Sequence, residues 1–249
     1  MVTPLRYARS LASPRVGASH PVTLSSPSEA SGNRRMRVQR GGIPSVSLDC
    51  GSRGGHIFLM TLRIGILALQ GAVQPHFAHI AALGAEPREV RTAAELAQVD
   101  GLVLPGGESS AMLKIIDYYD LKQPLVEFFK TKPAWGICAG AILLAEKVKN
   151  PDQFSFGALP MTVARNAYGS QLDSFHAEVN GYPIAFIRAP VIEYVAPDMK
   201  ILAERGGHPI WVEHGHTMAT TFHAELNPAA PSPMHQRFAQ IIKAAKQPR

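Results

Sequence analysis

Runs of apolar residues alternate with amphipathic segments along the first half of the chain's body. Residues 63–69, 100–104 and 133–137 are continuous apolar runs, typical of strands buried on both faces of a parallel sheet. Glu89 and Val90 give a short further strand. Helical spacing predicts helices over residues 73–83, 92–96, 111–118 and 121–130. This alternation predicts an α/β fold of the doubly wound, flavodoxin-like kind, with a mostly parallel central sheet and helices on both faces.

After residue 149 the apolar runs become shorter and alternate with polar positions. We expect antiparallel additions to the sheet there, then a strand over 217–222 and a closing helix over 233–246. The antiparallel runs are residues 162–165, 185–188, 191–194, 201–203 and 210–212. Two glycine-rich turns, 105–109 and 136–140, each follow a buried strand and should lie side by side at one sheet edge. Ser109 or Ser110 is the expected N-cap of the helix after the first turn.

Composition separates a basic leader from a neutral body. The chain has 249 residues and a formal charge of +6, and residues 1–59 carry all of it, with eight arginines against two acids. The leader is rich in Ser, Arg and Gly, which predicts disorder. It is either a targeting segment resembling an organelle transit peptide, or sequence translated from an over-extended start before a domain at 60–249. The neutral body gives no support for nucleic-acid binding.

Two features of the composition bear on the compartment. Cys50 and Cys138 are the two cysteines, too few for a disulfide framework. No apolar run reaches the length needed to span a bilayer. We therefore expect a cytoplasmic protein without a membrane segment, with organelle import by the leader left open.

The turn at 136–140, G-I-C-A-G, has the pattern of a nucleophile elbow. A strand runs into a turn so tight that glycines must flank the nucleophile, Cys138. The following helix N-terminus favours a thiolate, and its free amides can hold an oxyanion. The alternative is that Cys138 is a small buried apolar residue.

A cysteine nucleophile needs a base, and among the eight histidines of the body His223 stands out. Glu225 follows two positions later, so on an extended segment both side chains point to the same side. The carboxylate can then orient the imidazole while the other ring nitrogen faces the thiol. Cys138, His223 and Glu225 are the candidate catalytic triad.

Several linked motifs resemble those of a known family. L-Q-G-A-V (69–73), P-G-G-E-S (105–109), G-I-C-A-G and T-F-H-A-E-L (221–226) are similar to class I, triad-type glutamine amidotransferases. Together with A-R-N-A-Y-G-S-Q-L-D-S-F (164–175) and F-I-R-A-P (186–190), they resemble the glutaminase subunits of pyridoxal 5′-phosphate synthase. The resemblance extends from about Leu62 to the C-terminus.

The resemblance implies an activity and a set of site residues. Cys138 would attack the side-chain amide of L-glutamine, with His223 as base and then acid and Glu225 holding His223. The positions that match glutamine contacts are Gly107, Glu108, Ser109, Arg165, Ile187 and Arg188. A zwitterionic amino acid needs a cation for its carboxylate and an acceptor for its ammonium group. The Ala139 amide would supply one oxyanion donor, and the turn at Gln70 and Gly71 would contribute a second.

The resemblance also implies a partner. Ammonia would pass to a synthase subunit in a hetero-oligomeric complex that builds pyridoxal 5′-phosphate, and the chain itself would need no cofactor and no metal. Two positions depart from the family pattern: Ala224 replaces a usual proline, and Ser170 stands where a basic residue is frequent. The rival interpretations are a stand-alone elbow-cysteine hydrolase or chaperone-like protein, an amidotransferase subunit of another pathway, and a regulatory or scaffolding subunit without catalysis. Residues 213–216 include metal-ligand types, which a turn between strands explains better than zinc.

Overall fold

The computed structural model describes residues 61–165 and 175–247. The predicted leader, residues 1–59, lies outside these ranges, and so does Ser170. Within the described ranges the helices and strands follow the predicted order closely. In these ranges, no helix combines the length and the apolar character needed to cross a membrane.

A seven-stranded sheet forms the centre of the fold. Its strands are β1 (Arg63–Leu67), β2 (Glu86–Val90), β3 (Gly101–Leu104), β4 (Ala134–Ile137), β10 (Lys200–Arg205), β11 (His208–His214) and β12 (Thr217–Thr220). The spatial order is β10-β11-β12-β4-β3-β1-β2. The five strands from β12 to β2 are parallel, whereas β11 pairs antiparallel with β12 and β10 pairs antiparallel with β11. The predicted mostly parallel sheet with antiparallel additions is therefore confirmed.

Helices cover both faces of this sheet. They are α1 (Pro75–Ala81), α2 (Ala93–Ala97), α3 (Ser109–Tyr118), α4 (Lys122–Thr131), α5 (Ala139–Leu144) and α6 (Pro233–Lys246). Alternate residues of one strand face opposite ways, so Leu102 and Leu104 pack with α2 to α5, while Val103 packs with α1 and α6. Two apolar cores result, one on each side of the sheet, and they explain why the strands are apolar throughout.

Two smaller sheets flank the carboxyl edge. One contains β5 (Ala145–Lys149), β6 (Leu159–Ala164) and β9 (Val191–Val195), and the other is the hairpin of β7 (Phe175–Val179) and β8 (Tyr182–Phe186). The apolar pattern did not predict β5, which begins directly after α5, and it did not predict β7. The prediction that residues 185–188 form a strand is wrong at its end, because β8 stops at Phe186 and Arg188 has a φ of 44°.

The predicted serine N-cap of α3 is also wrong. The residue before the helix is Glu108, and no side chain caps the helix there. The hydroxyl of Ser109 instead donates to Gln153 Oε1 at 3.0 Å, and that of Ser110 donates to Glu108 Oε1 at 3.0 Å. The two hydroxyls therefore bind side chains instead of the free backbone amides at the start of α3.

Candidate active site

Cys138 occupies a tight turn between β4 and α5. Its backbone has φ 49° and ψ −101°, a conformation that a residue with a side chain rarely adopts. A Cβ at Gly140 would collide with the carbonyl oxygen of Leu104, and one at Gly136 would lie 2.5 Å from that of Gly140. Glycine is required at both positions, because the elbow packs directly on the neighbouring strand. The predicted nucleophile elbow is present.

His223 follows β12, the strand next to β4. Its backbone is fixed to β8: the amide of His223 donates to the carbonyl of Ala185 at 2.7 Å, and the amide of Ala185 donates back at 3.1 Å. The ring lies against Gly106, where a Cβ would collide with it. The turn at 105–109 therefore needs glycine to make room for the imidazole.

The structure brings the three predicted triad side chains together. His223 Nδ1 donates to Glu225 Oε1 at 2.6 Å, and Cys138 is near enough to the ring to raise the pKa of His223. Cys138 and His223 are each 6% exposed and Glu225 is 2% exposed. Bulk water is thus largely kept from the contacts that join the three groups, which makes their electrostatic coupling stronger than it would be at the surface.

Electrostatics at the triad favour an imidazolium. Burial lowers the pKa of His223, but the interactions with Cys138 and Glu225 raise it by more, and the resulting pKa is about 10. For Glu225, burial raises the pKa, while the hydrogen bond from His223 and the charges of His76 and His223 bring it below its ordinary value. At neutral pH the pair of His223 and Glu225 is therefore ionised, and the imidazolium lies beside the sulfur of Cys138.

A narrow cavity opens beside Cys138, with a volume of about 50 Å³. Its lining includes every residue that the resemblance assigned to glutamine: Gly107, Glu108, Ser109, Arg165, Ile187 and Arg188. Ala139, the predicted oxyanion donor, also lines it. Arg165 and Glu108 form an ion pair of 3.1 Å within this cavity. A cation and an anion thus lie together beside the nucleophile.

The other two predicted oxyanion residues, Gln70 and Gly71, do not line the cavity. Gln70 Oε1 accepts a hydrogen bond of 2.8 Å from the Glu108 amide, and the Ala72 amide donates to the carbonyl of Gly106 at 3.0 Å. These contacts fix the turn at 70–71 to the turn at 105–109. A role of Gln70 and Gly71 at the oxyanion stays a prediction.

Ile187, which was predicted as a glutamine contact, also contacts the nucleophile, whereas sequence reasoning missed two other groups that hold the site. The carbonyl of Ile187 accepts a hydrogen bond from the Cys138 thiol at 3.8 Å. Tyr182 Oη donates to the carbonyl of Ala229 at 2.7 Å and lies 3.4 Å from that of Ala224. His79 Nε2 lies 3.3 Å from the carbonyl oxygen of Glu225. The tyrosine and this histidine anchor the segment that carries the triad carboxylate, and no local motif marks either one.

The histidine-rich turn at 213–216 has ordinary structural partners. Glu213 pairs with Arg237, His214 Nε2 lies 2.9 Å from Asp198, and His216 Nε2 lies 3.1 Å from the carbonyl of Phe129. Across residues 61–165 and 175–247, no cluster of three or more His, Cys, Asp or Glu side chains could hold a metal ion.

Comparisons with known proteins agree with this geometry. The model of the SNO glutamine amidotransferase family matches residues 66–243. The pyridoxal 5′-phosphate synthase subunit PdxT of Solibacter usitatus (strain Ellin6076) is 44% identical over 176 residues, which cover 66% of this chain and 92% of that protein. The PdxT of Mycobacteroides abscessus is 41% identical over 194 residues, covering 74% and 100%.

A solved structure described as a glutamine amidotransferase superposes with a TM-score of 0.66 at 34% identity, covering 72% of this chain and 98% of its own. The family model spans more than two thirds of this chain and includes Cys138, His223 and Glu225. The matched region begins in β1 and ends in α6, so it includes the other six strands of the central sheet in full. This chain therefore belongs to the SNO glutamine amidotransferase family.

Proposed function

We propose that this protein is the glutaminase subunit of pyridoxal 5′-phosphate synthase, and that Cys138, His223 and Glu225 hydrolyse L-glutamine to L-glutamate and ammonia. The observation that carries the residue assignment is the hydrogen bond of 2.6 Å between His223 and Glu225, beside the sulfur of Cys138 at the end of β4. The elbow backbone of Cys138 supports it, since strain of this kind concentrates at nucleophiles.

The chemistry follows from the charge state of the triad. The Cys138 thiolate adds to the side-chain amide carbon of glutamine, and the carbonyl electrons move onto oxygen. When the C–N bond breaks, His223 Nε2 gives its proton to the departing nitrogen, which leaves as ammonia. A thioester remains, and neutral His223 takes a proton from water as the oxygen attacks. The C–S bond then breaks, releasing glutamate and restoring the ion pair, while Glu225 holds the ring throughout.

The ion pair of Arg165 and Glu108 supports the choice of a zwitterionic substrate. The α-carboxylate of glutamine would bind the guanidinium of Arg165, and the α-ammonium would bind the carboxylate of Glu108. Binding would thus replace the ion pair within the protein by two ion pairs with the substrate. Gly107, Ser109, Ile187 and Arg188 complete the wall around the side chain. A volume of about 50 Å³ holds only a few waters, so glutamine has to widen the cavity as it enters.

The oxyanion needs hydrogen-bond donors next to Cys138. We assign one to the backbone amide of Ala139, which follows the nucleophile and lines the cavity. Gln70 and Gly71 are proposed as the second contributor, through a rearrangement of their turn when a partner docks. Their present contacts to Glu108 and Gly106 would have to change in that step.

Ammonia is useful to a synthase only if it reaches the second active site before it escapes to water. We propose that residues 60–249 form the amidotransferase domain and dock on the synthase subunit of a hetero-oligomeric complex in the cytoplasm. Relatives at 41–44% identity carry the name of a pyridoxal 5′-phosphate synthase subunit, which supports this partner.

The test is a glutaminase assay of wild type and Cys138→Ser, each with and without the synthase subunit. Wild type should release ammonia, more so in the complex, and the serine variant should release none above background because a serine hydroxyl is far less acidic than a thiol. Binding of the variant to the synthase subunit, measured by sedimentation, serves as the folding control. Ammonia release by a well-folded Cys138→Ser protein would refute the assignment of the nucleophile.

A further inference from the structure

Three buried histidines lie behind Glu225 and take no part in the chemistry described above. His76 and His79 lie on α1 and His235 lies on α6, and each is at most 2% exposed. The rings of His79 and His235 stack at 4.4 Å, and His76 contacts His235 at 5.1 Å between centroids. Fully buried imidazoles need hydrogen-bond partners on both nitrogens, so the partners decide where each proton lies.

The tautomer of His79 follows from its neighbours. Its Nδ1 accepts a hydrogen bond from the Ser232 backbone amide at 3.1 Å, and an amide nitrogen can only donate. The proton is therefore on Nε2, which donates to the carbonyl of Glu225 at 3.3 Å. His79 thus fixes the backbone of Glu225 but does not hydrogen-bond its carboxylate.

A second series of contacts runs towards that side chain. Ser232 Oγ lies 2.7 Å from His235 Nδ1, and His235 Nε2 lies 2.9 Å from His76 Nδ1. Two buried atoms beyond this series have no hydrogen-bond partner among the described residues: His76 Nε2 and Glu225 Oε2. The other carboxylate oxygen, Oε1, is already bonded to His223. His76 lies one turn before His79 on α1, and His79 contacts the backbone of Glu225, so the unpaired nitrogen and the unpaired oxygen belong to neighbouring residues.

The direction of the protons can be worked out from the charged end. A carboxylate oxygen only accepts, so a hydrogen bond to it requires the proton of His76 on Nε2. His76 Nδ1 must then accept from His235 Nε2, and His235 Nδ1 must accept from the Ser232 hydroxyl. Ser232 can do this, because its oxygen accepts from the His235 amide at 3.2 Å while its own proton stays free to donate. All donors then point the same way, towards Glu225.

From these contacts we propose that His76 is a positioning residue for the triad: its Nε2–H, oriented by His235 and Ser232, holds Glu225 Oε2 through one buried water. This inference rests on the proposed glutaminase function. Without such a donor, a buried carboxylate oxygen loses the hydrogen bonds it has in water, which is costly. With it, both oxygens of Glu225 are fixed, one by the catalytic imidazole and one by His76.

Charge at the cluster agrees with this arrangement. Burial lowers the pKa of His76 to about 4, with Glu225 acting in the opposite direction and His79 and His223 adding to the decrease. Burial likewise brings the pKa of His235 well below its ordinary value, helped by His76 and His79. Both rings are therefore neutral at pH 7, as a directed series of donors requires. The imidazolium of His223 is then the cation that pairs with Glu225.

The variants His76→Gln and His76→Asn separate positioning from packing. The amide nitrogen of glutamine reaches about as far as His Nε2, whereas that of asparagine reaches only as far as Nδ1. In the complex with the synthase subunit, His76→Asn should lower kcat about tenfold with KM within about twofold of wild type, the loss of one hydrogen bond to a charged group. The basic limb of its pH–rate profile should move to lower pH. His76→Gln should recover most of kcat and restore the limb.

Ile80→Val, a buried change on the same helix, is the matched packing control and should leave kcat and the profile as in wild type. A His76→Asn protein with wild-type kcat and profile would overturn the proposal, as would equal losses in both His76 variants with an unshifted profile. An inactive wild-type complex would instead refute the glutaminase function itself.

A measurement on the wild-type chain needs no variant to fold. Long-range ¹H–¹⁵N spectra distinguish the two neutral tautomers of each histidine. The proposal requires the Nε2–H form of both His76 and His235 at pH 7, and an Nδ1–H form of His76 contradicts it. Exchange broadening of the His76 signals on Glu225→Gln substitution would be further support, and unchanged His76 shifts in that variant would count against it.

Discussion

Replacing Glu225 by glutamine removes the charge that supports the catalytic imidazolium while keeping the shape of the side chain. The amide oxygen can still accept from His223 Nδ1, whose present bond to Glu225 is 2.6 Å. Burial of the His223 ring is unchanged, so its unfavourable effect on the charged form remains. The variant should therefore lose electrostatic support with little change in packing.

The pKa of His223 gives the size of the effect. It lies at about 10 instead of 6.5, a net preference for the imidazolium of roughly 5 kcal/mol that Cys138 and Glu225 provide together against burial. Loss of the carboxylate charge removes part of this preference, so the pKa of His223 falls from about 10 towards its ordinary value of 6.5. We expect the basic limb of the kcat/KM profile to move from near pH 10 to lower pH by about one pH unit or more, so that kcat/KM falls about fivefold or more at pH 10 and much less at pH 7.

The assay follows ammonia release by the complex from pH 6 to pH 10.5, with alkylation of Cys138 by iodoacetamide as a second readout of the thiolate. Glu178→Gln, an exposed change on β7, removes the same charge away from the site and is the control. If the basic limb of Glu225→Gln stays within about half a pH unit of wild type, the carboxylate does not set the charge state of His223 and the reasoning fails.

Two further changes test other parts of the site. Arg165→Gln should raise KM for glutamine at least tenfold with a smaller effect on kcat, because it removes the cation proposed for the α-carboxylate; steady-state kinetics decide, and a KM within twofold of wild type contradicts the role. The free energy of unfolding should fall as the pH drops from 6.5 towards 4, by up to roughly 3 kcal/mol from His76 alone, because the unfolded chain takes up a proton there that the folded chain refuses. Urea titrations at several pH values give the dependence of the unfolding free energy on pH, which should be weaker for His76→Gln and unchanged for the exposed His176→Gln. The same dependence in His76→Gln as in wild type would show that His76 does not cause it.

Periodicity was sufficient for most of the central sheet, since strands buried on both faces leave continuous apolar runs such as that of β1 and β3. It failed at β5, whose sequence Ala-Glu-Lys-Val-Lys has two buried positions and follows a helix without a break. It also failed at Ser109, where capping chemistry and site chemistry use the same residue type. There the hydroxyl binds Gln153, a partner 44 positions away that no local pattern reveals.

The triad was predictable because each member sits in a local motif: Cys138 between two glycines, and Glu225 two positions after His223. The ion pair of Arg165 and Glu108 joins the turn after β6 to the turn before α3, and the sequence offered only the resemblance for it. The histidine cluster was even harder to predict from the sequence. His76 and His79 are three positions apart and so share a face of α1, but nothing local shows that His235 meets them from the last helix.

The nucleophile and its base leave adjacent parallel strands, although Cys138 and His223 lie 85 positions apart in the chain. A hydrogen bond of 3.2 Å from Trp135 Nε1 to Thr220 Oγ1 joins the same two strands. A nascent chain that has emerged only as far as β11 holds the thiol without its imidazole. β12 must insert beside β4 before the two can meet, so chemical competence arrives only near the end of synthesis, when most of the chain has already been made. A ribosome-bound fragment is therefore expected to leave the glutamine pool untouched.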